Sequence, residues 1–582
     1  MRGRDVFMQS LVAHGVERIF GNPGTTESPL LDSLAAYPAI KYVTTLQESI
    51  ALCAASYYAQ ASGKTGVVSL HVAPGLGNAI GMMYGALRSG SPMIVTAGQQ
   101  DTRMRLNNPV LGHDLVAMAA PVTKWSVQVE RPDEMGPILR RAFKVAHDGP
   151  PGPVFVALPI DVMEAEASVG SAEPAQLWRA PRPDPKGIAA IAEALLAAKS
   201  PVIVAGDDVA RAGANAELVR LAEAVGASVW LEGLKLLMPF PTAHPSARLG
   251  LPLDAASIAK VLGSADMVLL VGGSFFEDVW HAPQSPFPAG AKVAQIEASP
   301  ERLAFAVAPS LGLVGSIRHA LSGLVAEIDR VATPDWRGDV RRRNAGLAQL
   351  KAKEVAAQKS RAEKAWDREP ISMPRVMAEI RDALPARAIL VDESITASID
   401  LARTIDFEKA GDYFGARGGG IGQGVAGVLG VAVAQPKRPV LCVSGDGSAM
   451  YAIQALWTAS HVGLPIVFVI LANREYRVLK HNIDVYRQRF GIASQEPYAY
   501  MDLGGPALGF VEMAAGMGVA GTRVTKPGDA GAAIKAAFAS GKPHLVEVAS
   551  EAKRETIAKH QRTRSWFPWR RAPRGYSSGI FA

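Results

Sequence analysis

The sequence predicts an α/β protein made of three consecutive doubly wound parallel-sheet domains, and three observations support this. Apolar runs of strand length, such as 439–444 (PVLCVS) and 465–472 (PIVFVILA), alternate with helix-patterned segments along the chain. Several of these runs stop abruptly at glycine-containing turns that lead into helices. Polar, Pro-rich or charged stretches divide the alternation into three blocks. At 582 residues, 48% hydrophobic and 20% charged, the chain is too long for one core and has the composition of a globular protein with about three or four domains.

The first block spans 1–165. It opens with MRGRDVFMQSLVAHGVERIF, an amphipathic helix pattern without the core of a signal peptide. GNPGTTESPLLDSL (21–34) is a Gly/Pro turn and then a helix with acid in its first turn. KYVTTLQES (41–49) reads as a strand that delivers Glu48 to its end, where the helix SIALCAASYYAQASG begins. GVVSLHVAPGLGNAIG (66–81) is a strand ending at His71 and a glycine-rich turn into another helix. These strand ends gather Thr25 or Thr26, Glu48 and His71 along one sheet edge, where open α/β folds bind ligands. Each also has an ordinary explanation: Glu48 as a cap or solvated carboxylate, His71 as a satisfied polar group, and either threonine as a helix cap. The block closes with the buried strand GPVFVALPIDV (152–162) and a Pro-rich linker.

The second block, 188–330, begins at PVIVAGDDV (201–209) and continues through ADMVLLVGG and AKVAQIEASP. Its VAGDD and VGGSF turns follow strands, but neither has the full G-x-G-x-x-G spacing, so FAD is not expected. SFFEDVWHAP places His281 after a strand end, either as an acid/base or as a surface-loop histidine. A connector, 331–368, carries a helix pattern that is polar nearly all round and reads as solvated.

The third block, 369–550, contains the most informative segment, GDGSAMYAIQALWTASHVGLPIVFVILAN (445–473): an acidic turn, a helix, an apolar strand and an asparagine. The first-turn N–H groups of that helix would face an anion lying over the sheet end. Asp446 repels an anion, so an acid here implies a divalent cation between carboxylate and phosphate, a role that suits Mg2+. Asn473, at the end of the following strand, offers an amide oxygen to the same ion, and the backbone oxygen of Glu475 offers a third ligand. Repeats with a period of 20 to 50 residues are not evident.

GDG followed by Asn473 resembles the signature of thiamine diphosphate enzymes, with Ala472 in place of the first asparagine of the usual pair. GNPGT, LQE, SLHVAPGLGNAIG and IVTAGQQ resemble the pyrimidine-binding domain of the thiamine diphosphate-dependent 2-oxo acid decarboxylase and acetolactate synthase superfamily, and are most like benzoylformate decarboxylases. The resemblance covers residues 1 to 550. It implies a pyrimidine-binding domain, a central domain and a diphosphate-binding domain, with thiamine diphosphate and Mg2+ as cofactors. Glu48 would hydrogen-bond the aminopyrimidine nitrogen, Ile421 in GARGGGIGQGVAG would prop the two rings, and Gly420, Ser394, Thr396, Gly445, Gly447, Ser448 and Tyr476 would border the cofactor. Asp446, Asn473 and Glu475 would bind the metal; His71 would relay protons and Thr25 would hold the substrate carboxylate. Benzoylformate decarboxylases bring in a histidine from the region of His281, but without gaps Val279 occupies that position.

The implied reaction is non-oxidative decarboxylation of a 2-oxo acid to an aldehyde, with carboligation to a 2-hydroxy ketone as a variant. An acetolactate synthase-like carboligase and a catalytically silent cofactor-binding paralogue are the alternatives. Val478, Leu479 and Asn482 fall where benzoylformate decarboxylases line an aromatic pocket. There Asn482 replaces a phenylalanine, and Arg477 and Lys480 add charge, departures that count against phenylglyoxylate itself and leave room for an aliphatic or carboxylated 2-oxo acid. The family also implies a homodimer or homotetramer with sites between subunits.

Composition excludes other classes. Residues 551–582 hold eight Lys/Arg and two Glu and account for +6 of the net charge of +7; the remainder lacks the basic stripe of a nucleic-acid binder. Disorder is the default for such a terminus, although Trp566, Phe567 and Trp569 argue for some docking. No apolar run approaches the ~20 residues that span a bilayer, and a cytoplasmic location is expected. Cys53 and Cys442 lie in apolar segments, which supports neither a disulfide framework nor a cysteine metal site.

Overall fold

The computed structural model describes residues 1–551 apart from 172, 278 and 495, so the tail reading falls outside the described residues. Three six-stranded sheets follow one another along the chain, and every strand pair is parallel. The first holds β1 (Arg18–Gly21), β2 (Lys41–Thr44), β3 (Gly66–Leu70), β4 (Met93–Gln99), β5 (Trp125–Gln128) and β6 (Pro153–Pro159), in the order β2-β1-β3-β4-β6-β5. The second holds β7 (Pro201–Ala205), β8 (Ser228–Leu231), β9 (Ala247–Gly250), β10 (Met267–Val271), β11 (Lys292–Glu297) and β12 (Leu311–Val314), in the order β12-β11-β10-β7-β8-β9. The third holds β13 (Ile389–Glu393), β14 (Tyr413–Phe414), β15 (Val440–Gly445), β16 (Ile466–Ala472), β17 (Ala520–Val524) and β18 (His544–Ala549), in the order β14-β13-β15-β16-β18-β17.

The apolar runs read as strands because helices cover both sheet faces: β3, β6, β10, β13 and β16 are buried at every position. Strand order reverses between β1 and β3, between β7 and β10, and between β13 and β15. Such switch points open a crevice at the carboxyl ends of the strands. The first and third sheets share one strand order, a kinship invisible at the residue level.

Two readings are corrected. The glycines after His71 form no turn, because the helix Val72–Arg88 starts immediately and contains Gly75 and Gly77. The single helix expected after Asp446 is two, Asp446–Ala449 and Ala455–Val462. The interruption lays Tyr451 and Ala452 on Gly422, where a side chain would stand 2.7 Å from the Tyr451 Cβ. The polar connector is the 30-residue helix Pro334–Glu363, in which only Val340 is buried. Cys53 and Cys442 are buried and free.

The first and third sheets are joined through two helices that cross closely, Glu48–Ser62 and Gln423–Ala434. The second is buried from Gln423 to Ala432, as expected for a helix apolar all round. A methyl on Gly430 would collide with the Ala54 carbonyl oxygen, and one on Gly427 would stand 2.6 Å from the Tyr57 ring. Tyr57 donates its hydroxyl to the Gly415 carbonyl at 2.5 Å. Gly430→Ala is therefore expected to destabilise the chain by about 1–3 kcal/mol, as overpacking does. Gly346→Ala, on the exposed connector helix with open space around it, should be neutral or stabilising by up to about 1 kcal/mol. Calorimetric melting of the two variants checks the contrast.

Candidate active site

Glu48 begins its helix at the end of β2, with Gln47 as N-cap accepting from the Ser49 N–H (2.6 Å) and the Ile50 N–H (3.3 Å). The Glu48 side chain is buried, and its carboxylate accepts from Asn78 Nδ2 at 3.0 Å and Asn22 Nδ2 at 3.3 Å. Asn78 lies on the Val72–Arg88 helix, so His71 and the clamp on Glu48 share one element.

His71 is oriented by a residue the sequence reading passed over. Its Nδ1 lies 2.8 Å from Glu27 Oε2, and Glu27, 4% exposed, also accepts from the Gly98 N–H (2.8 Å) and Thr26 Oγ1 (2.9 Å). A buried carboxylate on Nδ1 makes that nitrogen the N–H and leaves Nε2 for proton exchange. Glycine is required on both sides: a Cβ at Gly24 would enter the His71 ring and one at Gly98 would enter Glu27. Neither threonine is the expected cap: Gly24 occupies that position, Thr26 serves Glu27, and Thr25 is exposed. The available signal for Glu27 is the acid in the first turn of the helix after the Gly/Pro turn.

At the third sheet, β15 and β16 pair Gly445 with Leu471, which sets Asp446 and Asn473 at neighbouring strand ends. Asp446 accepts from the Gly447 N–H (2.8 Å) and the Arg474 N–H (2.6 Å), and burial pushes its carboxyl above the usual range. Asn473 Oδ1 accepts from the Glu475 N–H at 3.0 Å. The Glu475 carboxylate pairs with Lys480, which leaves the backbone oxygen as its available ligand; that oxygen already accepts from the Arg477 N–H at 3.0 Å. No group of three or more His, Cys, Asp or Glu among the described residues could hold a metal. The set here is instead one carboxylate with amide and carbonyl oxygens, hard donors that suit Mg2+ completed by phosphate. A Cβ on Gly445 would meet nothing within 4 Å, so the sheet end is open above it, whereas Gly447 lies against the Tyr476 ring, 2.5 Å from where a Cβ would stand. These residues fit a metal-bound diphosphate.

The Ile421 loop is held from below. Glu393 is buried and accepts from the N–H groups of Gly422 (2.7 Å), Gln423 (2.9 Å) and Gly424 (2.9 Å). Burial pushes its carboxyl up to about 7, opposed by those three donors. Asp392, on the other face of β13, accepts from the Ser394 hydroxyl at 2.6 Å and Tyr413 at 3.1 Å. The Ser394 hydroxyl, expected to border the cofactor, is committed to Asp392, while Thr396 is partly exposed.

His281 is exposed, and no described contact joins it to Glu27, Glu48 or His71. Its neighbour Trp280 stacks on Tyr486 of the helix Arg477–Arg489, which carries the partly buried Val478 and Asn482 and the more exposed Leu479. Backbone strain marks the strand ends: Val72 (φ 42°), Ile395 (φ 53°) and Arg474 (φ 58°) each follow a residue assigned to the site. A non-glycine residue there costs about 1–3 kcal/mol and persists where surrounding structure imposes it.

Models of the thiamine pyrophosphate enzyme N-terminal TPP binding domain, central domain and C-terminal TPP binding domain match residues 1–118, 188–324 and 396–548. The chain belongs to the thiamine pyrophosphate enzyme family. Within this family it is 32% identical to a benzoylformate decarboxylase of Pseudomonas aeruginosa over 92% of this chain and 97% of that one. It is 27% identical to the acetolactate synthase isozyme 3 large subunit of Escherichia coli, over 90% of each. A Rhodococcus jostii thiamine diphosphate-dependent 4-hydroxybenzoylformate decarboxylase superposes with a TM-score of 0.83 at 29% identity, over 95% of this chain and 99% of that one. No helix among the described residues is long and apolar enough to cross a membrane.

Glu27→Gln keeps the size of the side chain but removes the charge that fixes the His71 tautomer. It is expected to lower kcat about 10²-fold, within the usual range for acid–base effects, with cofactor affinity unchanged. Steady-state kinetics paired with cofactor titration separates the two.

Proposed function

We propose that the chain catalyses thiamine diphosphate- and Mg2+-dependent, non-oxidative decarboxylation of a 2-oxo acid to an aldehyde. The observation that carries this reading is the Glu27–His71 pair, 2.8 Å apart beside the clamped carboxylate of Glu48. Release of an aldehyde requires a proton at the carbon that has lost carbon dioxide, and a histidine held at Nδ1 delivers it from Nε2. Similarity to a benzoylformate decarboxylase across nearly the whole chain supports the assignment.

Asp446, Asn473 Oδ1 and the Glu475 carbonyl would hold Mg2+. Gly420, Thr396, Gly445, Gly447, Ser448 and Tyr476 would border the diphosphate, with Ser394 acting through Asp392, and Ile421 would support the rings. Thiamine diphosphate, when bound, supplies the electron sink that the loss of carbon dioxide needs. Glu48 holds a proton at the aminopyrimidine nitrogen, and burial keeps water from competing for it. Thr25, at the exposed mouth, takes the substrate carboxylate, and His71 moves the product proton. His281 has no part in this reading.

Pairing of Lys480 with Glu475 removes one of the two charges expected near the substrate; Asn482, in place of a phenylalanine, still leaves room for an aliphatic or carboxylated 2-oxo acid. The same reading divides the chain into a pyrimidine-binding domain (1–165), a central domain (188–330), a helical connector (331–368) and a diphosphate-binding domain (369–550). It also makes a homodimer or homotetramer, with sites between subunits, the working form.

The test supplies thiamine diphosphate, Mg2+ and a panel of 2-oxo acids and follows carbon dioxide and aldehyde. Turnover on at least one acid is expected, with Glu48→Gln reducing it more than about 10²-fold and Asp446→Ala abolishing Mg2+-dependent cofactor uptake in calorimetry. Condensation of pyruvate with FAD in the purified protein would favour a carboligase related to the acetolactate synthases. Tight cofactor binding without turnover would favour a silent paralogue.

A further inference from the structure

We propose that Arg417 is a positioning residue that fastens the 418–422 loop, and with it Ile421, to the carboxyl edge of the central sheet. The Arg417 side chain, 3% exposed, leaves the third block and enters the crevice at the β7/β10 switch point. Its Nε donates to Asp207 Oδ2 at 2.8 Å, its Nη1 donates to Glu277 Oε2 at 3.1 Å, and its Nη2 pairs with Glu232. These acids follow β7, β10 and β8. They are themselves fixed: Asp207 accepts from the Leu236 N–H (3.0 Å) and the Leu237 N–H (2.9 Å), and Glu232 from the Asp207 N–H (2.7 Å). Arg88, the last residue of the His71 helix, donates to Glu277 at 2.7 Å, so the first block reaches the same point. A guanidinium suits the place because its planar fork serves several carboxylates at once and its burial is offset by them.

The loop has two restraints. Glu393 binds its far end through the N–H groups of Gly422, Gln423 and Gly424. Arg417 holds its near end, where its carbonyl also accepts from Gln423 Nε2 at 2.8 Å. Between them, Gly418 (φ 79°) and Gly419 (φ 73°) have backbones that few other residues would adopt and that are free to adopt others. The position of Ile421 therefore depends on both anchors. The crevice where an open α/β sheet takes a ligand is filled here by a side chain of the same chain, which a dinucleotide phosphate would have to displace.

This inference rests on the reading that the loop borders the cofactor. The test uses Arg417→Met, and the same change with Asp207→Asn and Glu232→Gln so that those two acids are not left orphaned. In the protein without cofactor, amide hydrogen exchange across 415–424 is expected to rise at least tenfold in both variants, with Val440–Gly445 unchanged. In the triple variant the melting temperature should return toward that of the wild type while the Kd for thiamine diphosphate stays raised more than tenfold. Unchanged loop exchange in the folded triple variant overturns the proposal, as does a cofactor Kd within twofold of the wild type. Failure of the wild type to take up thiamine diphosphate would sink the functional reading instead, and the exchange comparison would still decide what Arg417 does.

Discussion

A carboxylate buried at the end of a parallel strand has no water to solvate it, and the site is organised around meeting that need. Glu27, Glu48, Asp207 and Asp446 follow strands and Glu393 closes β13, and each is met by fixed donors: backbone N–H groups, asparagine amides, a histidine or a guanidinium. An uncompensated charge in such places would cost several kcal/mol, so each acid dictates which backbone segment comes to it. The Ile421 loop lies where it does because Glu393 and Arg417 need partners. The His71 ring is oriented because Glu27 does.

Glycine placement follows from the same demand. Gly24 and Gly98 let the histidine and its carboxylate approach the main chain, and Gly430 lets two helices touch so that the first and third sheets share one interior. These are contacts between backbones or with polar groups, and they tolerate no added methyl. Strain at Val72, Ile395 and Arg474 marks the points where chain direction is forced immediately after a residue assigned to the site.

The carboxyl edge of the central sheet is occupied by side chains of the same chain. Asp207, Glu232 and Glu277 gather Arg417 and Arg88 from the other two blocks, which makes the middle of the chain the mechanical junction of all three. Coupling between the glycine-rich loop and the His71 helix then has a physical route through Glu277.

Much was legible in residue order. Strand and helix periods, the glycine-bounded turns and the GDG segment are local patterns, and they were enough for the α/β class, the three parallel sheets and the placement of Glu48, His71, Asp446 and Asn473 at strand ends. Three things needed the folded chain: Glu27 as the partner of His71, 44 residues away; Asn78 as the clamp on Glu48, 30 residues away; and Arg417 as a tie to Asp207, 210 residues away. The exposure of His281 belongs with them, whereas Ser394 turning to Asp392 two residues away and the capping by Gly24 are local features, of the kind turn chemistry governs. The division has a physical cause. Periodicity and turn chemistry act over one or two turns of chain, whereas the partner of a buried charge is chosen by whichever donors packing brings within about 3 Å.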